Sequence, residues 1–138
     1  MKYFDTSALI RAARLQWQPE GITRPHSLAE FYSFFTGGGF LVNEGGINKR
    51  KALSPAVAVE LAKITFKRIE FQELDDADVF AALAKAAQKN ILGRNIHDFL
   101  HVAAAEKSGC KTIVTTNEKD FKTVTRLKVV NASEEFAV

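Results

Sequence analysis

Asp5 follows a short apolar-leaning run at residues 2–4, Asn117 and Asp120 follow the β-branched run 112–115, and Glu30 and Asp98 each fall in the first turn or two of a segment with helical character. Carboxylates gathered in one place repel and raise each other's pKa values unless a cation keeps them ionised. A donor set made of hard oxygens selects Mg²⁺ or Mn²⁺ over zinc. Such a cluster around one or two divalent ions suits in-line attack of water on a phosphodiester, with the metal lowering the water's pKa and stabilising the leaving oxygen.

The acids can meet only if the surrounding elements bring them together. Residues 2–4 read as a strand, Asp5-Thr6-Ser7 as a capping turn, and Ala8 onward as a helix that Pro19 and Gly21 break. Leu28, Phe31, Tyr32 and Phe35 recur at i, i+3, i+4 and i+7, which predicts an amphipathic helix with Pro25 in its first turn and Gly37-Gly38-Gly39 as its stop. Its Phe/Tyr-rich face reads as core or a partner groove. Residues 37–53, with five glycines and the basic run Lys49-Arg50-Lys51, predict an exposed loop or small hairpin. A phosphate-cradling P-loop would need Lys-Ser/Thr after its last glycine and a strand before it. Neither is present.

Further on, Ser54-Pro55 opens a helix to about Arg68, Ile69–Leu74 is a short strand, and Asp75-Asp76 caps a helix to about Lys89. Another helix runs from Asn95 to about Ser108, Thr112–Thr115 is a strand, Asn117–Phe121 a turn or single helical turn, and Leu127–Val130 the last strand. Strands separated by helices predict an α/β fold, a three-layer α/β/α sandwich with a mainly parallel sheet. In such sheets ligands gather beyond the carboxyl ends of the strands, where these acids would lie.

Each acid also has a simpler reading. Asp5 can be an N-cap, Ser27 and Glu30 a capping box, Asn95 and Asp98 another, and Asp120 a surface acid in a tight turn. His97 and His101 stand at i, i+4 like a zinc helix, yet His26 is the only other histidine, so a zinc site lacks ligands. Packing accounts for His101 and an exposed or substrate-side position for His97. Lys49, Arg50 and Lys51, with Arg11, Arg14 and Arg94, can form a rim that tracks nucleic-acid phosphates, or a solvated basic face.

With 138 residues the chain has room for one domain, residues 1–138, and a real core. Apolar residues are 46% and charged residues 25%, which excludes disordered and low-complexity classes. Cys110 is the only cysteine, so no intrachain disulfide forms, and a reducing cytoplasm is the expected location. No apolar run is long enough to span a membrane, and Asp5 interrupts the place where a signal peptide needs its apolar stretch. The net charge of +3 divides unevenly, +5 on residues 1–69 and −2 on residues 70–138, which permits a nucleic-acid partner without requiring one.

The segments F-D-T-S-A-L-I, S-L-A-E-F-Y, I-H-D-F-L-H-V-A-A-A-E and I-V-T-T-N-E-K-D-F occur in the order and approximate spacing of PIN-domain ribonucleases. Over nearly its whole length the chain most resembles the VapC toxins of toxin–antitoxin pairs. The resemblance implies a compact α/β/α fold, Mg²⁺- or Mn²⁺-dependent cleavage of single-stranded RNA, frequent homodimers, and inhibition by a small antitoxin. By position, Asp5, Glu30 and Asp98 match the family's first three acids. Where many members carry a fourth aspartate this chain has Asn117, so the resemblance assigns Asp120 as the fourth acid and Asn117 as a secondary ligand or water-positioning group. Thr6, Ser7 and Thr116 are candidates for orienting the carboxylates, though capping and turn roles fit them equally. A housekeeping PIN nuclease of RNA processing is one alternative; a catalytically weak RNA- or protein-binding module is another.

Overall fold

Short apolar strands alternate with amphipathic helices along the chain, and a computed structural model describes residues 1–38 and 40–137. The order is β1 (Lys2–Phe4), α1 (Thr6–Arg14), β2 (Gly21–Thr23), α2 (His26–Thr36), β3 (Phe40–Glu44), β4 (Ile47–Lys51) and α3 (Pro55–Thr65). It continues with β5 (Ile69–Phe71), α4 (Asp76–Gln88), α5 (Asn95–Lys107), β6 (Thr112–Thr115), α6 (Glu118–Lys122), β7 (Lys128–Asn131) and α7 (Ala132–Glu135). Gly39, the last glycine of the expected α2 stop, lies outside the described residues. Among the described residues no helix is long and apolar enough to cross a membrane.

Five strands form one sheet in the order β5-β2-β1-β6-β7, every pairing parallel. Successive side chains of a strand point to opposite faces, and β1 shows the result. Phe4 joins a core with Leu9, Phe31, Phe35 and Val114 beneath α1, α2 and α3, whereas Tyr3 joins Val102, Ala105, Ile113 and Phe121 beneath α5 and α6. Helices on both faces complete the α/β/α sandwich. Ser54 caps α3 ahead of Pro55, and Asp75 and Asp78 form a reciprocal capping box that starts α4.

Two elements depart from the sequence expectation. β2 lies where Pro19 and Gly21 predict only a break, because a strand of three residues is too short for an alternating pattern to register. Gly21 is there because the chain passes so close to β1: a Cβ would stand 2.3 Å from the Lys2 carbonyl and 2.6 Å from the Phe4 ring. α7, a single turn capped by Asn131, is likewise too short for periodicity to reveal.

The glycine-rich segment forms the antiparallel hairpin β3–β4. Gly45 and Gly46 both have positive φ, +60° and +83°, as a tight two-residue turn requires. Its base is anchored: the Phe40 ring packs on Phe34 and Phe35, and the Arg14 guanidinium donates to the Leu41 carbonyl at 2.7 Å while covering the Phe40 ring.

Gly21→Ala forces a methyl group into backbone. The expected cost is about 1–3 kcal/mol, as for other overpacked sites, measured as a lower denaturant midpoint with an unchanged slope.

Candidate active site

Asp5 leaves β1 and caps α1. Its Oδ1 accepts the Ala8 N–H at 2.9 Å and the Ser7 hydroxyl at 2.7 Å, and its Oδ2 accepts the Thr115 hydroxyl at 2.6 Å. The side chain is almost wholly buried, which pushes its pKa up; nearby His101 and these donors pull the other way. Asp5 is therefore both a cap and the buried end of an acidic cluster.

Glu30 projects from α2, and the capping-box reading does not hold. Ser27 lies inside the helix, its buried hydroxyl bonded to Thr23 Oγ1 at 2.7 Å. Glu30 Oε1 instead accepts the Thr6 hydroxyl at 2.9 Å and lies 3.5 Å from His101 Nε2. The imidazole holds the Glu30 carboxyl at about 2, against the opposing effect of burial. At 3.5 Å that contact is a long polar approach, and the bond from Thr6 is the shorter one.

Asp98 lies in the first turn of α5, whose N-cap position is Arg94 with no side-chain cap bond, so the second capping box is absent too. Burial raises the Asp98 pKa, and the charges of Asp5, Asp120 and Glu30 raise it further, with His101 opposing. Asp5, Glu30, Asp98 and Asn117 line one cavity of about 630 Å³, together with Thr6, Ser7, Ile10, His26, Ser33 and Phe34. It opens where β1 runs into α1 and β6 into Asn117. Asp120 is exposed and lines an adjoining cleft of about 230 Å³ that shares Asp98. Asp120 thus acts on the first cavity through its charge and does not line it.

A PIN domain sequence profile matches residues 2–127. The chain belongs to the PIN-domain family. PIN domains are nucleases that generally use divalent metal ions. No curated protein sequence matches it significantly. Among solved structures, a chain of VapBC2 from Rickettsia felis, crystallised bound to a DNA fragment from their promoter, superposes with a TM-score of 0.63. The match covers 95% of this chain and 98% of that one at 17% identity, a likeness of fold.

Within this PIN domain, Ser7 and Thr6 bond the Asp5 and Glu30 carboxylates directly. Thr116 is exposed, and it is its backbone N–H that donates, to Ser7 Oγ at 3.0 Å. The second hydroxyl on Asp5 belongs to Thr115, which the sequence reading passed over. Its signal was positional: the parallel register sets Phe4 beside Val114, so Asp5 and Thr115 leave their strands side by side.

His101, read from sequence as packing, is buried but polar, with Nδ1 2.7 Å from the Tyr3 hydroxyl. His97 is exposed, so the two histidines face different surroundings. Among the described residues no three His, Cys, Asp or Glu side chains already stand in reach of one ion. The fit to a hard divalent cation rests on the oxygen donors around the cavity and on the mutual repulsion at Asp98, and closing on an ion takes rotation of the half-buried Glu30 and Asp98.

The three basic residues of the hairpin do not share one face. Lys49 and Lys51 pair with Val42 and Phe40 across the hairpin and share a face with Glu44, which bonds Lys51 and lies 4.0 Å from Lys49. Arg50, opposite Leu41, is on the other face. Arg14 is committed to the hairpin base; Arg11 and Arg94 are exposed, and no arginine lines the 630 Å³ cavity.

The two shifts have opposite signs. Asp98, raised in the fold, costs stability as pH rises past the ordinary carboxylate range, so metal-free Asp98→Asn is expected to match or exceed the wild type at pH 7 and to lose that advantage in acid. Glu30, depressed to about 2, stabilises above its ordinary 4.5 and loses this as pH falls toward 2; Glu30→Gln is expected to melt lower at pH 7 and converge in acid. Melting temperatures across pH 3–7 measure both.

Proposed function

We propose that this PIN domain is an endoribonuclease that cleaves single-stranded RNA with Mg²⁺ or Mn²⁺, and that it serves as the toxin of a toxin–antitoxin pair. The observation that carries the reading is the convergence of Asp5, Glu30 and Asp98 on one cavity beside the carboxyl ends of β1 and β6. A divalent ion bound there supplies a more acidic water and stabilises the leaving oxygen. The chain's own part is to hold the donors. Ser7, Thr115 and the Ala8 N–H fix Asp5 while Oδ2 keeps a second lone pair for a ligand. Thr6 fixes Glu30, Asn117 adds a neutral amide to the wall, and Asp120 contributes negative charge from the adjoining cleft.

The likeness to a VapBC2 chain supports a small antitoxin partner, and the family resemblance supports pairing of two copies. The basic hairpin, with Arg11 and Arg94, supplies phosphate contacts that need not read sequence.

Purified protein is expected to cut defined single-stranded RNAs with Mg²⁺ or Mn²⁺, to stop in EDTA, and to lose cleavage on Asp98→Asn. Binding without metal-dependent cleavage would favour a binding module instead. Replacing Lys49, Arg50 and Lys51 with alanine in the Asp98→Asn protein is expected to weaken all RNAs alike, each lost phosphate contact lowering the log–log salt slope by about 0.7. An unchanged slope would mark the hairpin as a solvated face or a protein-binding element.

A further inference from the structure

We propose that the buried pair Tyr3–His101 is a positioning device for Glu30, turning one carboxylate oxygen into the protein and leaving the other to the cavity. The proposal rests on reading that cavity as a metal site. Tyr3 on β1 is fully buried and His101 on α5 nearly so, and the rings meet edge to face with centroids 5.8 Å apart. The phenol oxygen lies 2.7 Å from Nδ1, while Nε2 lies 3.4 Å from Thr6 Oγ1 and 3.5 Å from Glu30 Oε1.

The bond directions fix the hydrogen on Nε2. Burial disfavours the phenolate, so Tyr3 keeps its proton, and its hydroxyl pairs with Nδ1 whichever of the two carries the shared hydrogen. Thr6 gives its own proton to Glu30 Oε1, so toward His101 it can only accept. Nε2 therefore carries hydrogen and presents it to Thr6 and Glu30 together. Both approaches to Glu30 fall on Oε1, and no hydrogen bond to Oε2 is formed among the described residues.

An apolar pair could fill this space without the cost of burying polar atoms. What the polar pair adds is a fixed line from β1 through α5 to one oxygen of Glu30. Groups that orient a metal's ligands are commonly worth ten- to hundredfold in metal affinity, and an affinity readout separates this role from simple packing.

The test is calorimetric titration of RNA-free protein with Mn²⁺, with melting temperatures recorded alongside. His101→Leu is expected to weaken Mn²⁺ binding by about tenfold or more, and Tyr3→Phe by less. His101→Gln, whose amide nitrogen can stand near the position of Nε2, is expected to recover most of the affinity. Folded His101→Leu and Tyr3→Phe proteins with wild-type affinity would overturn the proposal while Asp98→Asn still abolished binding. Equal losses in the Gln and Leu variants would also overturn it, since packing alone would then explain them. Should His101→Leu fail to fold, Tyr3→Phe decides, because it removes a single oxygen and keeps the ring. A wild-type protein that binds no Mn²⁺ would overturn the metal reading and this proposal with it.

Discussion

The Asp5 carboxylate joins the end of β1, the start of α1 and the end of β6 through three hydrogen bonds, and the site is arranged around it. Burying an unpaired carboxylate costs several kcal/mol, and charge-assisted bonds to Ser7, Thr115 and the Ala8 N–H offset that cost. Capping and ligation are not rival roles for this residue. The bonds that start α1 also hold the carboxylate at the carboxyl edge of the sheet, where Glu30 and Asp98 reach the same cavity. Gathering the acids has a price in burial and then in mutual repulsion, both of which raise the pKa of Asp98.

Around this centre the polar groups form a continuous set, buried at Tyr3, Thr6, His101 and Thr115 and half-buried at Ser7 and Glu30. Thr115 and Ser7 serve Asp5; Thr6 and His101 serve Glu30; Tyr3 serves His101. Every member comes from an element packed on the central sheet, so the geometry of the acids is tied to the register of β1 against β6 and the placement of α2 and α5. The hairpin is mechanically connected as well, since Phe34 lines the cavity and stacks on Phe40 at the hairpin base.

Much of this was legible in the sequence because it is local. The capping signals at Ser54-Pro55 and Asp75, the helical segment from Asn95 and the β-branched strand 112–115 all appear where expected. What was not legible is non-local. Tyr3 and His101 are 98 positions apart, and nothing in the local pattern says which helix covers Tyr3. β2 is hidden because three residues beginning with glycine carry no alternation, and Gly21 is explained only by the strand beside it. Lys49-Arg50-Lys51 reads as one cluster along the chain, yet the pleat of β4 turns its middle member to the opposite face. The two capping-box alternatives fail for a related reason: Glu30 and Asp98 have the spacing of caps, but Glu30 meets Thr6 and His101 in space and Asp98 feels the charges of the other acids.

The central claim is that Asp5, Glu30 and Asp98 jointly hold one divalent cation. A crystal soaked in Mn²⁺ and measured for anomalous scattering tests it most directly. The account predicts a Mn²⁺ peak in the cavity, bonded to carboxylate oxygens of Asp5, Glu30 and Asp98, with Glu30 ligating through Oε2. A strong peak elsewhere on the surface, with the three carboxylates unmoved and their cavity filled only by water, would contradict it.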